Sequence, residues 1–584
     1  MPGTSVPRQG SASGTTGSLS PNLVAPFFDD LILQRQDSSV SARVIGSAPD
    51  RRWVIDWQNL SIIDENGFLF DGRVSFQAIL FEGSNDIAFQ YKTLEGPRSY
   101  GESATVGLQN AARTLAAQFS FNEARLYTGR VVVFRFDPNN ASYSVSASEV
   151  KQYIPLVTGT VRFRTNLGLT NISAVQTQAT LTLYAATGSA IASRTAVVPT
   201  GGLLQLNNVI SFIRGLSPTQ TNNLSGSVVI TASQPLVAFA TQIDNTSDDP
   251  SLQTGRSAGA TQLRIPSSTS VNQFRSSLVV QNTGGSAAQV RLRQRDTNGT
   301  LRGELIVSIP SNGFYSQDDI HASLGLSGLF GPLEITSLNS MPLVATSRVY
   351  SVNSGTSGFF EGRDVSVASS NGVVPISQDN TAFRTNLGIN NLGATPADVQ
   401  VNLYSPSGVL LGTTTVNVPA GGLRQLDNVN RTLTGANGVS DTLGFIRLTS
   451  GQPLLGYSTL INNVGDDPGL ATNVVSGATR LLIPSATNVN QFRSTLTVIN
   501  LANSSAPIRL IVRNTSGDIQ AQSDGVVIPP NGIYNVDDIL TSLGLVNSYG
   551  PIEIQSLNEV PLAAVSRVYS IIDNTSGFFA AQPY

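Results

Sequence analysis

An internal repeat constrains this 584-residue chain more than any other feature. The stretch VRFRTNLGLTN (161–171) recurs as TAFRTNLGINN (381–391). Between them, NQFRSSLVVQN (272–282) recurs as NQFRSTLTVIN (490–500). The anchoring phenylalanines Phe163, Phe274, Phe383 and Phe492 stand 111, 109 and 109 residues apart. A period of that length is a whole domain, present four times. The first and third copies are most alike, as are the second and fourth, so an ancestral pair was duplicated as a unit. The expected organisation is a low-complexity leader at 1–24, a different domain at 25–145, and copies at 153–258, 261–364, 374–477 and 479–584. Linkers are expected near 138–152 and at the Ser-rich 364–374.

Each copy reads as short strands. ATLTLYAATGSAIASRTAVVP (179–199) and its twin VQVNLYSPSGVLLGTTTVNVP (399–419) are alternating runs broken at Thr187-Gly188 and at Pro406-Ser407-Gly408, the pattern of a hairpin. A proline precedes the last long strand at Pro235, Pro342, Pro453 and Pro561, where a strand tolerates it as a start. About seven strands per copy predict a β-sandwich.

Composition excludes several functions. Cysteine is absent and His321 is the single histidine. That removes disulfides, thiolate and multi-histidine metal sites, and leaves one imidazole for acid–base work. Only Lys92 and Lys151 are lysines, and the net charge of −3 comes without basic clusters, a poor match to a nucleic-acid backbone. No run nears ~20 consecutive apolar residues, so no membrane-spanning helix is encoded. Residues 1–20 lack the apolar stretch of a signal peptide. Taken with the resemblance given below, this leads us to expect the C-terminal part of a longer secreted precursor.

Four constellations invite a chemical reading. Pairs of acids or amides recur at Asn207-Asn208, Asp318-Asp319, Asp427-Asn428 and Asp537-Asp538, each ahead of a short apolar run. They read as helix N-caps, with calcium ligation as the sharper alternative. The loops Asp244–Pro250 and Asn462–Pro468 place Asp244, Asp248, Asp249, Asp466 and Asp467 among amides. Calcium takes about six to eight hard oxygens, which such loops can begin to supply. The spacing is not that of an EF-hand, and the other two copies lack these acids, so the structural reading is a connector rich in Asx turns. Asp29-Asp30 carries the same two readings. Gly255-Arg256-Ser257-Ala258-Gly259 matches G-x-S-x-G, but it lies between repeats, and its sister linker has Val475 opposite Ser257. His321 is replaced by Leu540 in the fourth copy, so no hydrolase site is expected. Finally, Arg164, Arg275, Arg384 and Arg493 follow the anchor phenylalanines, as partners of a carboxylate in their own domain or as a binding face.

Residues 22–137 depart from the repeat. Here stand APFFDDL (25–31), RRWVIDWQNL (51–60), FQAILFEGSNDIAFQY (76–91) and SATVGLQN (103–110). The third block predicts a hairpin turning at Glu82–Asp86. Trp53 and Trp57, spaced by four on one strand, share a face, either as core or as an exposed aromatic ligand platform. These blocks, in this order, resemble the nidogen-like extracellular domain in the form found in secreted bacterial proteins. The resemblance covers about 115 residues; it implies a β-sandwich of matrix or surface proteins and brings no catalytic residues. Members of that family carry further strands ahead of the APF block, so the expectation is either a truncated domain or first strands that lie in a missing upstream segment. More loosely, the FR[TS]xLxxxN and S-R-V-Y-S strands of the copies resemble the Ig-like tandem modules of large secreted bacterial proteins, for which no activity is implied.

The expected fold is therefore all-β: a multidomain rod of β-sandwiches, one nidogen-like and four Ig-like in two related pairs. The expected function is non-enzymatic, a secreted or surface-displayed bacterial structural and adhesion protein acting as spacer and weak multivalent scaffold. Its partners would be extracellular matrix, cell-surface protein or polysaccharide, with self-association through sheet edges and no nucleic acid. The competing expectation is an accessory, carbohydrate-binding region of a secreted hydrolase whose catalytic domain lies upstream. No cofactor is expected beyond the calcium reading.

Overall fold

The computed structural model describes residues 22–63, 67–70, 72–111, 116–139, 142–147, 150–220, 222–353, 355–572 and 575–584. The expected leader falls outside them up to residue 21, as do parts of the expected linker at 138–152. The chain forms two compact units. One is Met1–Val150 with Ser173–Thr177 and Ala232–Pro235; the other is Lys151–Ile172, Gln178–Thr231 and Leu236–Tyr584.

In the first unit a three-stranded sheet (Leu23–Phe28, Thr105–Gln109, Ala116–Phe121) faces a seven-stranded one. The expected hairpin is its centre: Arg73–Phe81 pairs antiparallel with Ile87–Glu95, matching Phe76 to Tyr91 and Ala78 to Phe89. Alternation then sends Phe76, Ala78, Phe89 and Tyr91 to one face, where they bury against Phe27, Val106 and Leu108 of the small sheet. The turn closes on Gly83 and Asn85, both at positive φ. The Tyr91 hydroxyl donates to the Pro26 carbonyl at 2.5 Å, tying the two layers together.

In the second unit the copies are β-sandwiches, shown by the second copy with its eight strands; in the third the sixth and seventh strands run together as Thr442–Asn462. One sheet holds Leu301–Ile309, Ala288–Arg295, Phe330–Ser337 and Gln262–Thr269 in that order; the other holds Ser357–Glu361, Leu343–Ser351, the interrupted strand 274–282, and Phe314–Gln317. By sequence number the sheets run 4-3-6-1 and 8-7-2-5. An immunoglobulin domain sets its first strand beside its second and its seventh beside its sixth. Here those two edge strands have changed sheets. The prolines stand where expected: the strands begin at Leu236, Leu343 and Leu562, directly after Pro235, Pro342 and Pro561, while Pro453 lies inside the long strand Thr442–Asn462. The Ser-rich stretch expected as a linker is instead a 3-10 turn, Val365–Val367, leading into strand Ser369–Asp379.

The four copies do not follow one another as a rod. The turn of each 3–4 hairpin docks on the fifth strand of the next copy, and the fourth docks on the first. Phe314 N–H donates to Ala186 O at 3.3 Å, Leu423 to Thr297 at 3.0 Å, Ile533 to Pro406 at 3.0 Å, and Leu203 to Thr515 at 3.1 Å. Four equivalent hand-offs close a ring. The hairpin glycines Gly188, Gly299, Gly408 and Gly517 all have φ between 81° and 93°. A Cβ on any of them would strike a carbonyl oxygen of the neighbouring copy. The glycine that reads as a hairpin signal is thus also the residue that lets the seam close. The reason sequence reading missed the ring is that each docking surface is a hairpin tip, indistinguishable in sequence from a solvent-exposed turn.

Candidate functional site

The eighth strands, Pro250–Thr254, Ser357–Glu361, Pro468–Thr472 and Ser576–Ala580, meet at the centre of the ring. They leave a void of only about 50 Å³ between them. Around them the seams are of two kinds.

The seams between copies 1 and 2 and between copies 3 and 4 are tight. Asp249 Oδ2 accepts from the Ser357 backbone N–H at 2.9 Å and from its hydroxyl at 3.0 Å. Asp467 does the same with Ser576 at 2.7 and 3.1 Å. Phe163 covers the Arg348 guanidinium at 4.5 Å, and Phe383 covers that of Arg567 at 4.4 Å. The two recurrent sequence blocks, FR[TS] and S-R-V-Y, therefore meet across a seam as cation and ring. Arg256 pairs with Glu361 at the first of these seams.

The seam between copies 2 and 3 opens into a groove of about 670 Å³. Its floor is a T-shaped aromatic pair, Phe360 against Tyr457, with centroids 5.0 Å apart. Phe274 and Phe330 wall it on one side; Asn386, Gln425, Asp427 and Asn428 wall it on the other. The Tyr457 ring lies flat over Gly388, where any Cβ would collide with it. Tyr457 is 2% exposed, and burial holds its hydroxyl in the protonated form. That hydroxyl stands beside Ser267 without a well-formed hydrogen bond in the protein, and Asn428 Oδ1 likewise has no partner. The seam between copies 4 and 1 repeats the aromatic pair as Phe579 and Phe239, also 5.0 Å apart.

The amide and acid pairs behave as caps in three copies. Asn208, Asp319 and Asp538 accept from the N–H groups of Ser211, Ala322 and Thr541, opening helices α1 (Val209–Arg214), α2 (Ile320–Ser323) and α4 (Ile539–Ser542). Asn428, ahead of α3 (Val429–Thr434), makes no such bond. The four recurrent arginines each pair with a carboxylate of their own copy, by two routes. Arg164 and Arg384 reach the loop acids Asp248 and Asp466 at 3.4 and 3.0 Å. Arg275 and Arg493 reach the capping acids Asp319 and Asp538 at 3.5 and 3.2 Å.

The acids weighed as calcium ligands have partners within the protein. Asp244 accepts from Arg162 at 3.0 Å and from Thr246 N–H at 2.9 Å; Asp248 and Asp466 hold the arginines just named; Asp249 and Asp467 hold serines. Among the described residues no three acids or histidines converge as a metal set. Asp29 accepts from Ser103 at 2.6 Å and from Asp30 N–H at 2.9 Å. Trp57 stacks on Phe76 at 5.0 Å at the edge of the core, whereas Trp53, on the same face, remains 48% exposed. His321 is buried with Ser268 and Ser270 hydroxyls on its two ring nitrogens. Ser257 sits in a bend just after Arg256, which bridges to Tyr153, and not on a strand-to-helix elbow.

Sequence reading offered Asn428 as a cap or part of a calcium site, and did not single out Tyr457. One signal was present: Asp427/Asn207, Tyr457/Phe239 and Phe330/Tyr549 differ between sister copies whose other groove residues match. No curated protein matches the chain. A family model described as NIDO related matches residues 3–144, so the N-terminal region is similar to that nidogen-like family and the protein is of an extracellular, β-rich type.

Proposed function

We propose that the chain is a non-enzymatic structural and adhesion protein of the bacterial cell exterior, secreted or surface-displayed. The nidogen-related region carries this reading, because such domains belong to matrix and surface proteins. The ring adds a second support. Four fused copies give a block with a concave groove at the seam between copies 2 and 3, and binding sites favour such junctions. The block takes the place of the extended rod expected as spacer: its role is to hold sites in fixed relation so that weak contacts add. Its weakly charged surface, with 12% charged residues overall, suits contact with neutral matrix polymers better than electrostatic capture.

The test is retention of the purified chain on surfaces coated with bacterial polysaccharide or matrix protein, alongside assays with chromogenic ester, glycoside and peptide substrates. Saturable retention without turnover is expected. Turnover of any substrate class would replace the reading with an enzymatic one.

A further inference from the structure

A volume of about 670 Å³ falls within the ~300–1,000 Å³ typical of small-ligand sites. A buried polar atom without a partner costs stability and signals a missing partner. The groove between copies 2 and 3 has two such atoms, the Tyr457 hydroxyl and Asn428 Oδ1.

We infer that this groove binds a short neutral oligosaccharide. The inference rests on the adhesive reading above and gives it a ligand class. Three features choose the chemistry. Phe274 and Phe330 are part-buried and offer apolar ring faces to the C–H face of a sugar. Asn272, Gln425, Asp427 and Asn428 supply planar amide and carboxylate groups that suit neighbouring hydroxyls. The groove's charges are already engaged: Arg384 donates to Asn463 at 2.7 Å and to Asp466 at 3.0 Å, and Asp427 accepts from Gln425 at 2.7 Å. An anionic ligand would find no free cation there.

The seam between copies 4 and 1 is a built-in control. Phe239 replaces Tyr457, Asn207 replaces Asp427, and the Asn208 side chain is occupied in capping Ser211. Both free polar atoms are absent, so one saccharide per chain is expected.

Titration calorimetry of the intact chain with cellotetraose, xylotetraose, mannotetraose and tetra-N-acetylchitotetraose tests this. At least one should bind with unit stoichiometry. Tyr457→Phe, which copies the sister residue, and Asn428→Gly, which tolerates the left-handed backbone, should each weaken binding at least five-fold without lowering the melting temperature. Phe239→Tyr should leave it unaltered. Failure of all four sugars to bind, or binding that survives Tyr457→Phe combined with Asn428→Gly, overturns the inference. Retention on coated surfaces that persists in that case leaves the adhesive reading standing, so the two failures are separable.

Discussion

Asp249 of the first copy closes on Ser357 of the second, its Oδ2 accepting from both the backbone N–H and the hydroxyl of that one residue. The carboxylate is 1% exposed. Its other oxygen has no partner, and the same holds for Asp467 on Ser576. Two buried acids thus stitch the two tight seams of the ring.

Burial pushes Asp249 up to about 7; its bonds to Ser357 and the nearby Arg348 offset this only in part, and Asp244 adds to it. Asp467 is raised likewise by burial and by the charge of Asp249, against Ser576 and Arg567. A carboxyl that titrates near 3.9 when unfolded then binds its proton more tightly when folded. The stability contributed by Asp249 is full below about pH 4 and is lost as pH rises through about 7, and Asp467 acts in the same direction. Asp249→Asn should raise stability at pH 8 by about 1–3 kcal/mol and flatten the slope between pH 5 and 8. Thermal melts at the two pH values decide it; a wild type equally stable at both would contradict it.

His321 acts in the opposite direction. Burial lowers it from 6.5 to about 4, despite the charge of Asp319. Below pH 6.5 the unfolded chain takes up a proton that the folded one refuses, so stability falls from there towards pH 4. The fourth copy shows the alternative, with Leu540 and Ala486 in place of His321 and Ser268. The double variant His321→Leu with Ser268→Ala should recover roughly 2–3 kcal/mol at pH 4 relative to its effect at pH 7. Urea unfolding at both pH values would measure this.

The closing seam depends on one glycine. Gly517 has φ +93°, and a Cβ there would strike the Thr200 carbonyl of the first copy. Gly517→Ala should cost about 2–4 kcal/mol and speed hydrogen exchange at Leu203. Gly544→Ala, at φ +79° with nothing nearby, isolates the backbone part and should cost about 1 kcal/mol.

The two tryptophans should separate by energy. Trp57→Ala removes a ring stacked on Phe76 and should cost about 3 kcal/mol or more. Trp53→Ala should cost less than about 1 kcal/mol. Equal losses in melting temperature would place Trp53 in the core.

Chelation tests the loop acids. Arginines, backbone N–H groups and serines already hold Asp244, Asp248, Asp249, Asp466 and Asp467, so excess chelator should leave the melting temperature unchanged. A fall would assign the loops a calcium ion, by linkage of binding to folding.

The sequence by itself determined the copies, their β class, the strand pattern of the nidogen-like hairpin and the capping roles of Asn208, Asp319 and Asp538. All of these follow from short-range rules: alternation with period two, a glycine at a turn, an acceptor ahead of a helix. It also narrowed the recurrent arginines to an intradomain carboxylate or a binding face. Only the tertiary structure chose the first, and chose between loop acid and capping acid. The ring, the exchange of edge strands, the pairing of Asp249 with Ser357, and the groove over Tyr457 were decided there too. The exchanged edge strands pair residues distant within one copy, such as Leu263 with Ile335; the other three depend on residues about a hundred or more positions apart meeting across a seam. A docked hairpin tip and a free one carry the same glycine, and a buried aspartate reads like an exposed one. What separates them is the neighbouring copy packed against them, which strand periodicity cannot record.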